Sequence, residues 1–283
     1  MIISVASGKG GTGKTTVSTS LAVSLPGRVL LMDCDVEAPN VHLFINPDID
    51  ETIPVNEPVP DIDLSRCTFC KKCMDICRYG ALAVMKQKVL VFENHCHSCG
   101  GCIEICPENA VQPVFRSVGE VETGKAEDLG FVHGRLGVGQ VMAPPVIRKV
   151  KTYSDEQAVT IIDAPPGTSC PVITAVNKTD FIILVTEPTP FGLHDLALAV
   201  ETARTLNIPH GIVINRAGLG DNCIHEYAGA QQIPILMEIP FEKEMARIYS
   251  NGGILANELP DLKVQFLTLY RQIESMVAKE SAA

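Results

Sequence analysis

Eight of the eleven cysteines fall into two matching runs, Cys67-x2-Cys70-x2-Cys73-x3-Cys77 and Cys96-x2-Cys99-x2-Cys102-x3-Cys106-Pro107. Thiolates at this spacing hold a pair of [4Fe-4S] clusters: three cysteines of a run wrap one cube, and the fourth ligates the other. Cluster one then takes Cys67, Cys70, Cys73 and Cys106, and cluster two takes Cys96, Cys99, Cys102 and Cys77. Zinc is the competing metal, because paired C-x2-C units also build zinc ribbons. Two complete four-cysteine repeats argue against it. One departure is that Arg78, not proline, follows Cys77, which bears on exposure or potential at that end and not on ligation.

A second chemistry lies near the N-terminus, in Gly8-Lys9-Gly10-Gly11-Thr12-Gly13-Lys14-Thr15. Glycines at these positions let backbone N–H groups turn toward phosphate oxygens, and a following helix adds positive potential. Lys14 is the expected contact of the β- and γ-phosphates of ATP, Thr15 the Mg2+ ligand, and Thr16 the α-phosphate contact. Three carboxylates, Asp33, Asp35 and Asp163, close apolar strand-like runs. Open α/β sheets bind ligands at such strand ends, so these acids are candidates for the metal shell and for the attacking water. Asp163 begins Asp163-Ala164-Pro165-Pro166-Gly167, in which the acid serves Mg2+ and the Gly167 N–H the γ-phosphate.

The elements that must position these groups alternate as strand and helix. Ile2–Ala6 reads as the first strand, 14–25 as a helix stopped by Pro26-Gly27, and 28–33 as the second strand. Further buried strands are expected over 159–164, 181–186, 211–215 and 235–239, and helices over 144–153, 190–206, 242–250 and 262–279. The pattern predicts an α/β parallel sheet covered on both faces. In the last helix, Phe266, Leu269, Tyr270, Ile273 and Val277 share one face, read as packing on the sheet rather than on a membrane. Residues 48–63, with several prolines and acids, read as a linker, and the glycine-rich stretch 117–140 as a hairpin or irregular connection. The cysteine segment is an insertion, since strands of the sheet lie on both sides of it. The domains are therefore set at 1–57 with 117–283, and 58–116.

The formal net charge of -10 disfavours a sequence-independent grip on nucleic acid. Neither a targeting segment nor a membrane anchor is expected, and thiolate ligands point to a reducing cytoplasm. The insert itself is near neutral, with six carboxylates and seven Lys or Arg between Asp61 and Arg116, which suits an acidic partner. Cys34, Cys170 and Cys223 lie outside the runs and read as structural, Cys170 as a small buried residue. His95 and His97 flank Cys96 and read as solvated.

Lys9 directly after Gly8, in Gly-Lys-Gly-Gly-Thr-Gly-Lys-Thr-Thr, resembles the deviant Walker A signature of the MinD/ParA/nitrogenase-iron-protein ATPases. The resemblance covers roughly residues 1–47 and 155–260. It implies the P-loop NTPase fold and an ATP-dependent dimer, either of two identical chains or with a paralogue. Lys9 would reach the partner's nucleotide, Asp35 would orient the water, and Asp163–Gly167 would form the second switch. Asn215 and Arg216 resemble the adenine-side motif of that family, and Pro240-Phe241 its base-bordering segment; Asn215 reads equally as a strand-end cap. With the insert included, the chain resembles MinD-superfamily ATPases that carry a small α+β, bacterial-ferredoxin-like domain. The implied cofactors are ATP/ADP, Mg2+ and two [4Fe-4S] clusters. Three roles compete: ATP-gated electron transfer with a protein partner, a switch that positions or assembles a complex, and a cluster carrier. Carriers of the Mrp type use a C-terminal Cys-Pro-x-Cys element, which this sequence lacks.

Overall fold

Short β-branched and leucine-rich runs, free of proline, make the centre of the fold. The computed structural model describes residues 1–280. Its strands are β1 (Ile2–Ala6), β2 (Val29–Asp33), β3 (Asp48–Ile62), β4 (Leu82–Met85), β5 (Lys88–Val91), β6 (Val111–Ala126), β7 (Leu129–Leu136), β8 (Val159–Asp163), β9 (Phe181–Thr186), β10 (His210–Ala217) and β11 (Ile235–Pro240). Nine of them form one sheet in the order β11-β10-β9-β1-β8-β2-β7-β6-β3. From β11 to β7 all neighbours run parallel, while β6 and β3 are antiparallel additions at one edge.

Strands buried on both faces need helices on both sides. One face packs on Ile182, Leu184 and Ile212 under helices Pro144–Lys151, Cys170–Val176, Pro190–Thr205 and Cys223–Gln231. The other packs on Ile3, Val5, Leu31 and Ile183 under helices Lys14–Ser24 and Pro260–Glu280. Phe266, Leu269 and Ile273 of the last helix are fully buried there. Each such side chain contributes about 1.5–3 kcal/mol on burial, enough to commit that face to the core. Among the described residues no helix is long and apolar enough to cross a membrane.

One sequence expectation is corrected. Residues 48–62 are not a linker but the 15-residue strand β3, paired along its length with β6. Pro54, Pro58 and Pro60 misled the reading, yet β3 is the sheet's edge, where a strand needs no outward N–H and proline is tolerated. Val55 and Val59 are buried on the alternate positions that a strand predicts. The stretch 117–140 holds a hairpin, with β6 turning into β7 at Glu127-Asp128. The β3–β6 ribbon thus runs, through two irregularities in register, from Asp48 to the cysteine segment, and the boundaries at 57 and 117 fall inside it. At its far end lie the β4–β5 hairpin and short helices Lys72–Ile76 and Gly101–Glu104.

Candidate functional site

The loop between β1 and helix Lys14–Ser24 lies at the carboxyl end of the parallel strands. Gly13 has φ 94°, and a Cβ there would collide with the Asn215 amide. Only glycine meets both demands. A Cβ on Gly8 would likewise strike the backbone oxygen of Asp195. The helix opens without an acidic side chain in its first turn, leaving its N–H groups and positive end to the loop.

These elements surround a cleft of about 370 Å³ lined by Gly10, Gly11, Gly13, Lys14, Thr15 and Thr16, with Asp35, Asn40 and Pro166 opposite. Asn215, Arg216, Pro240, Phe241, Met245 and Tyr249 form its other wall. The Thr15 hydroxyl lies 2.7 Å from Asp163 Oδ2 and 2.9 Å from Asn40 Oδ1. Its single proton is within reach of either oxygen and is given to one of them at a time. Asp163 is buried, and its Oδ1 has no hydrogen-bond partner among the described residues. An orphaned buried carboxylate oxygen beside a threonine hydroxyl fits a Mg2+ shell.

Charge explains the strength of that demand. Asp33, Asp35 and Asp163 share the single cation of Lys14. Burial pushes the Asp163 carboxyl up to about 6, while Thr15 and Lys14 pull it down. Burial also raises Asp33 strongly and Asp35 less, and it lowers Lys14. A carboxyl raised in the folded state holds its proton where the unfolded chain has lost it. The stability that Asp163 contributes to the nucleotide-free protein is therefore lost as pH rises from 3.8 to about 6. Mg-nucleotide requires the ionised form, so its affinity is expected to rise with pH through the same window, with proton release. Calorimetry in buffers of different ionisation heat reads this; an affinity flat between about pH 5 and 7 would contradict it.

Not every expected residue lines the cleft. Asp33 sits beneath it, its oxygens accepting N–H bonds from Asp35, Asn40 and Val41 at 2.9–3.1 Å. It braces the loop 35–41 and offers no free oxygen to the cleft. The Gly167 N–H donates to Ser7 O at 3.0 Å, so it faces the β1 loop in this state. Asn215 donates to Thr12 O at 2.8 Å, tying the wall to the glycine loop. Lys9 lies 3.6 Å from Glu187, which also pairs with Arg216 at 2.7 Å. Cys170 is exposed at the start of its helix, not buried.

Asn40 and Glu187 were missed from the sequence. Glu187 follows β9 at the same sheet end as the three aspartates, a position that could have marked it. Asn40 carried no comparable signal.

The eight cysteines surround two separate hollows. Cys67, Cys70, Cys73 and Cys106 line one, and Cys77, Cys96, Cys99 and Cys102 line the other. Backbone N–H groups point at their sulfurs: Phe69 at Cys67 and Ser98 at Cys96, both 3.4 Å, and Ala81 at Cys77 and Ala110 at Cys106, both 3.3 Å. Left-handed residues Phe69, Lys71, Ser98 and Gly100 curl the two loops alike. Among the described residues, no three His, Cys, Asp or Glu side chains converge tightly enough to grip one metal ion. Thiolates spread around a hollow and fed by N–H groups fit a polynuclear cluster.

The profile of the CobQ/CobB/MinD/ParA nucleotide binding domain matches residues 3–255. The chain is similar to an uncharacterized protein of Methanocaldococcus jannaschii, 30% identical over 89% of this chain and 90% of that one. It is also similar to an iron-sulfur cluster carrier protein of Aquifex aeolicus, 24% identical over 98% of this chain and 68% of that protein. Among solved structures, the septum site-determining protein MinD with Mg-ADP from Pyrococcus horikoshii has a similar fold. Its TM-score is 0.62 at 20% identity, covering 97% of this chain and 96% of that one.

Proposed function

Because the chain belongs to the CobQ/CobB/MinD/ParA nucleotide-binding family, we propose that it is a Mg2+-dependent ATPase whose nucleotide state moves two [4Fe-4S] clusters relative to a protein partner. The observation that carries this reading is the division of eight cysteines into two crossed sets, at the end of a ribbon hydrogen-bonded into the nucleotide-binding sheet. The bound clusters would supply one-electron storage, so the favoured role is nucleotide-gated electron transfer. Thiolate ligation of such clusters would suit a reducing, cytoplasmic setting.

In this reading the glycine loop and Lys14 bind the phosphates, and Thr15 and Asp163 hold Mg2+. Magnesium, when bound, would neutralise charge between the β- and γ-phosphates. Asp35, facing the cleft across from Lys14, orients the attacking water. Lys9 is held in its own chain by Glu187, and ATP-driven dimerisation with a second copy or a paralogue would turn it to the partner's nucleotide.

A route from cleft to ribbon supports the coupling. Asp33 grips the loop 35–41, and His42 follows directly. The His42 ring meets His133 of β7 edge-on, with centroids 5.2 Å apart, and His133 pairs with Glu122 of β6. A loop reordered by the γ-phosphate therefore presses on both strands at the ribbon's root.

Asp35→Ala tests the chemistry. Turnover is expected to fall by about 10²–10⁴-fold, the usual worth of a positioned base, with ATP affinity kept. Retained turnover would remove Asp35 from that role.

The names of relatives favour a second reading, cluster delivery, since one is called an iron-sulfur cluster carrier protein. Incubating the loaded protein with an apo-ferredoxin separates the two: a carrier hands over its clusters, whereas a gated electron-transfer protein keeps them.

A further inference from the structure

The two halves of the cysteine segment match in backbone and oppose each other in charge. Each hollow receives two N–H donors at its sulfurs, from Phe69 and Ala110 in one and from Ser98 and Ala81 in the other. Hydrogen bonding to sulfur, a main lever on cluster potential, is thus balanced. Charge is not. Residues 66–78 carry four basic side chains (Arg66, Lys71, Lys72, Arg78) and one acid (Asp75), whereas residues 93–108 carry three acids (Glu93, Glu104, Glu108) and no Lys or Arg.

The asymmetry reaches the hollows themselves. Lys71, Lys72 and Glu108 line the one formed by Cys67, Cys70, Cys73 and Cys106. No Lys, Arg, Asp or Glu lines the other, whose mouth carries the Tyr79 and His97 rings stacked 3.6 Å apart. Cys96 there is buried, but Cys99 is exposed like Cys70, and the remaining cysteines of both hollows are half-buried.

We propose that the two sites are inequivalent: the Cys67–Cys70–Cys73–Cys106 site is the more easily reduced, and its basic rim docks an acidic one-electron carrier protein. The inference rests on reading both hollows as [4Fe-4S] sites. Reduction adds a negative charge to a cluster. Lys71 and Lys72 stabilise that charge at the first site, whereas no Lys or Arg lines the second. An electron shared between the sites then rests at the lysine-flanked one. There Lys71 and Lys72, with Arg66 next to Cys67, are exposed beside exposed Cys70, on a chain of net charge -10. An acidic carrier is drawn to this rim and repelled by most of the remaining surface, which fixes its orientation over the electron-bearing site.

The test uses the full-length, anaerobically loaded protein and K71Q/K72Q, titrated with EPR detection. Two reduction steps are expected. The double substitution should lower the equilibrium constant of the easier step on the order of tenfold, about 59 mV for one electron, and leave the harder step in place. Electron exchange with an acidic flavodoxin as probe should slow as salt is added to the wild type. In the variant it should be at least about tenfold slower and lose most of its salt dependence. If the variant fails to load, the wild type still decides through its two potentials and its salt response. Coincident potentials, or exchange indifferent to salt, with full iron and sulfide content, would overturn this inference and leave the cluster reading intact. Zinc in place of iron and sulfide would overturn both.

Discussion

Lys14→Ala is expected to lower ATP affinity by about 10²–10⁴-fold, the loss of two charge-assisted hydrogen bonds to phosphate. The structure adds a second consequence. Lys14 is the cation that partly holds down Asp163 and Asp35, and burial already raises both. Without it the three carboxyls take up protons more readily, and Mg2+ binding should shift to higher pH as well as weaken. The nucleotide-free fold should survive, because burial strips solvation from the ammonium and offsets its attraction to the three carboxylates. Calorimetric titration with Mg-ATP and a thermal melt check both halves. Undiminished affinity would remove the glycine loop from phosphate binding.

Cys77→Ser is expected to remove the cluster held by Cys96, Cys99 and Cys102 and to spare the one held by Cys67, Cys70 and Cys73. Iron and sulfide should fall, by up to about half, since the fourth iron of that cluster loses its thiolate. Cys77 follows Cys73 in sequence yet lines the other run's hollow, and Cys106 does the reverse. Cys106→Ser should therefore give the mirror result. Loss of the Cys67–Cys73 cluster in Cys77→Ser would show uncrossed ligation.

Much of this was legible in the sequence because it follows from local backbone rules. The glycine loop must precede a helix, and the carboxylates must end strands, so Lys14, Thr15, Asp35 and Asp163 could be expected around one cleft. The crossed cysteine sets were expected from the likeness of the spacing to that of two-cluster ferredoxins, and the same two sets line the two hollows. What stayed hidden depends on neighbours distant in sequence. The prolines of β3 look like a linker until the strand is seen at the sheet's edge. Asp33 reads like its neighbour Asp35, and only the fold shows that backbone N–H groups occupy its oxygens. Glu187 gains meaning from Lys9 and Arg216, each brought to it by a different loop. Cys170 could not be placed from its apolar surroundings in sequence, since burial is decided by packing across elements.

That phosphate chemistry moves the cluster-bearing ribbon is tested most directly by the cluster reduction potentials, measured in full-length protein with Mg-ADP and then with a slowly hydrolysed ATP analogue. The two nucleotide states are expected to give different potentials, and the difference should vanish in Lys14→Ala. Identical potentials in both states, with nucleotide demonstrably bound, would contradict it.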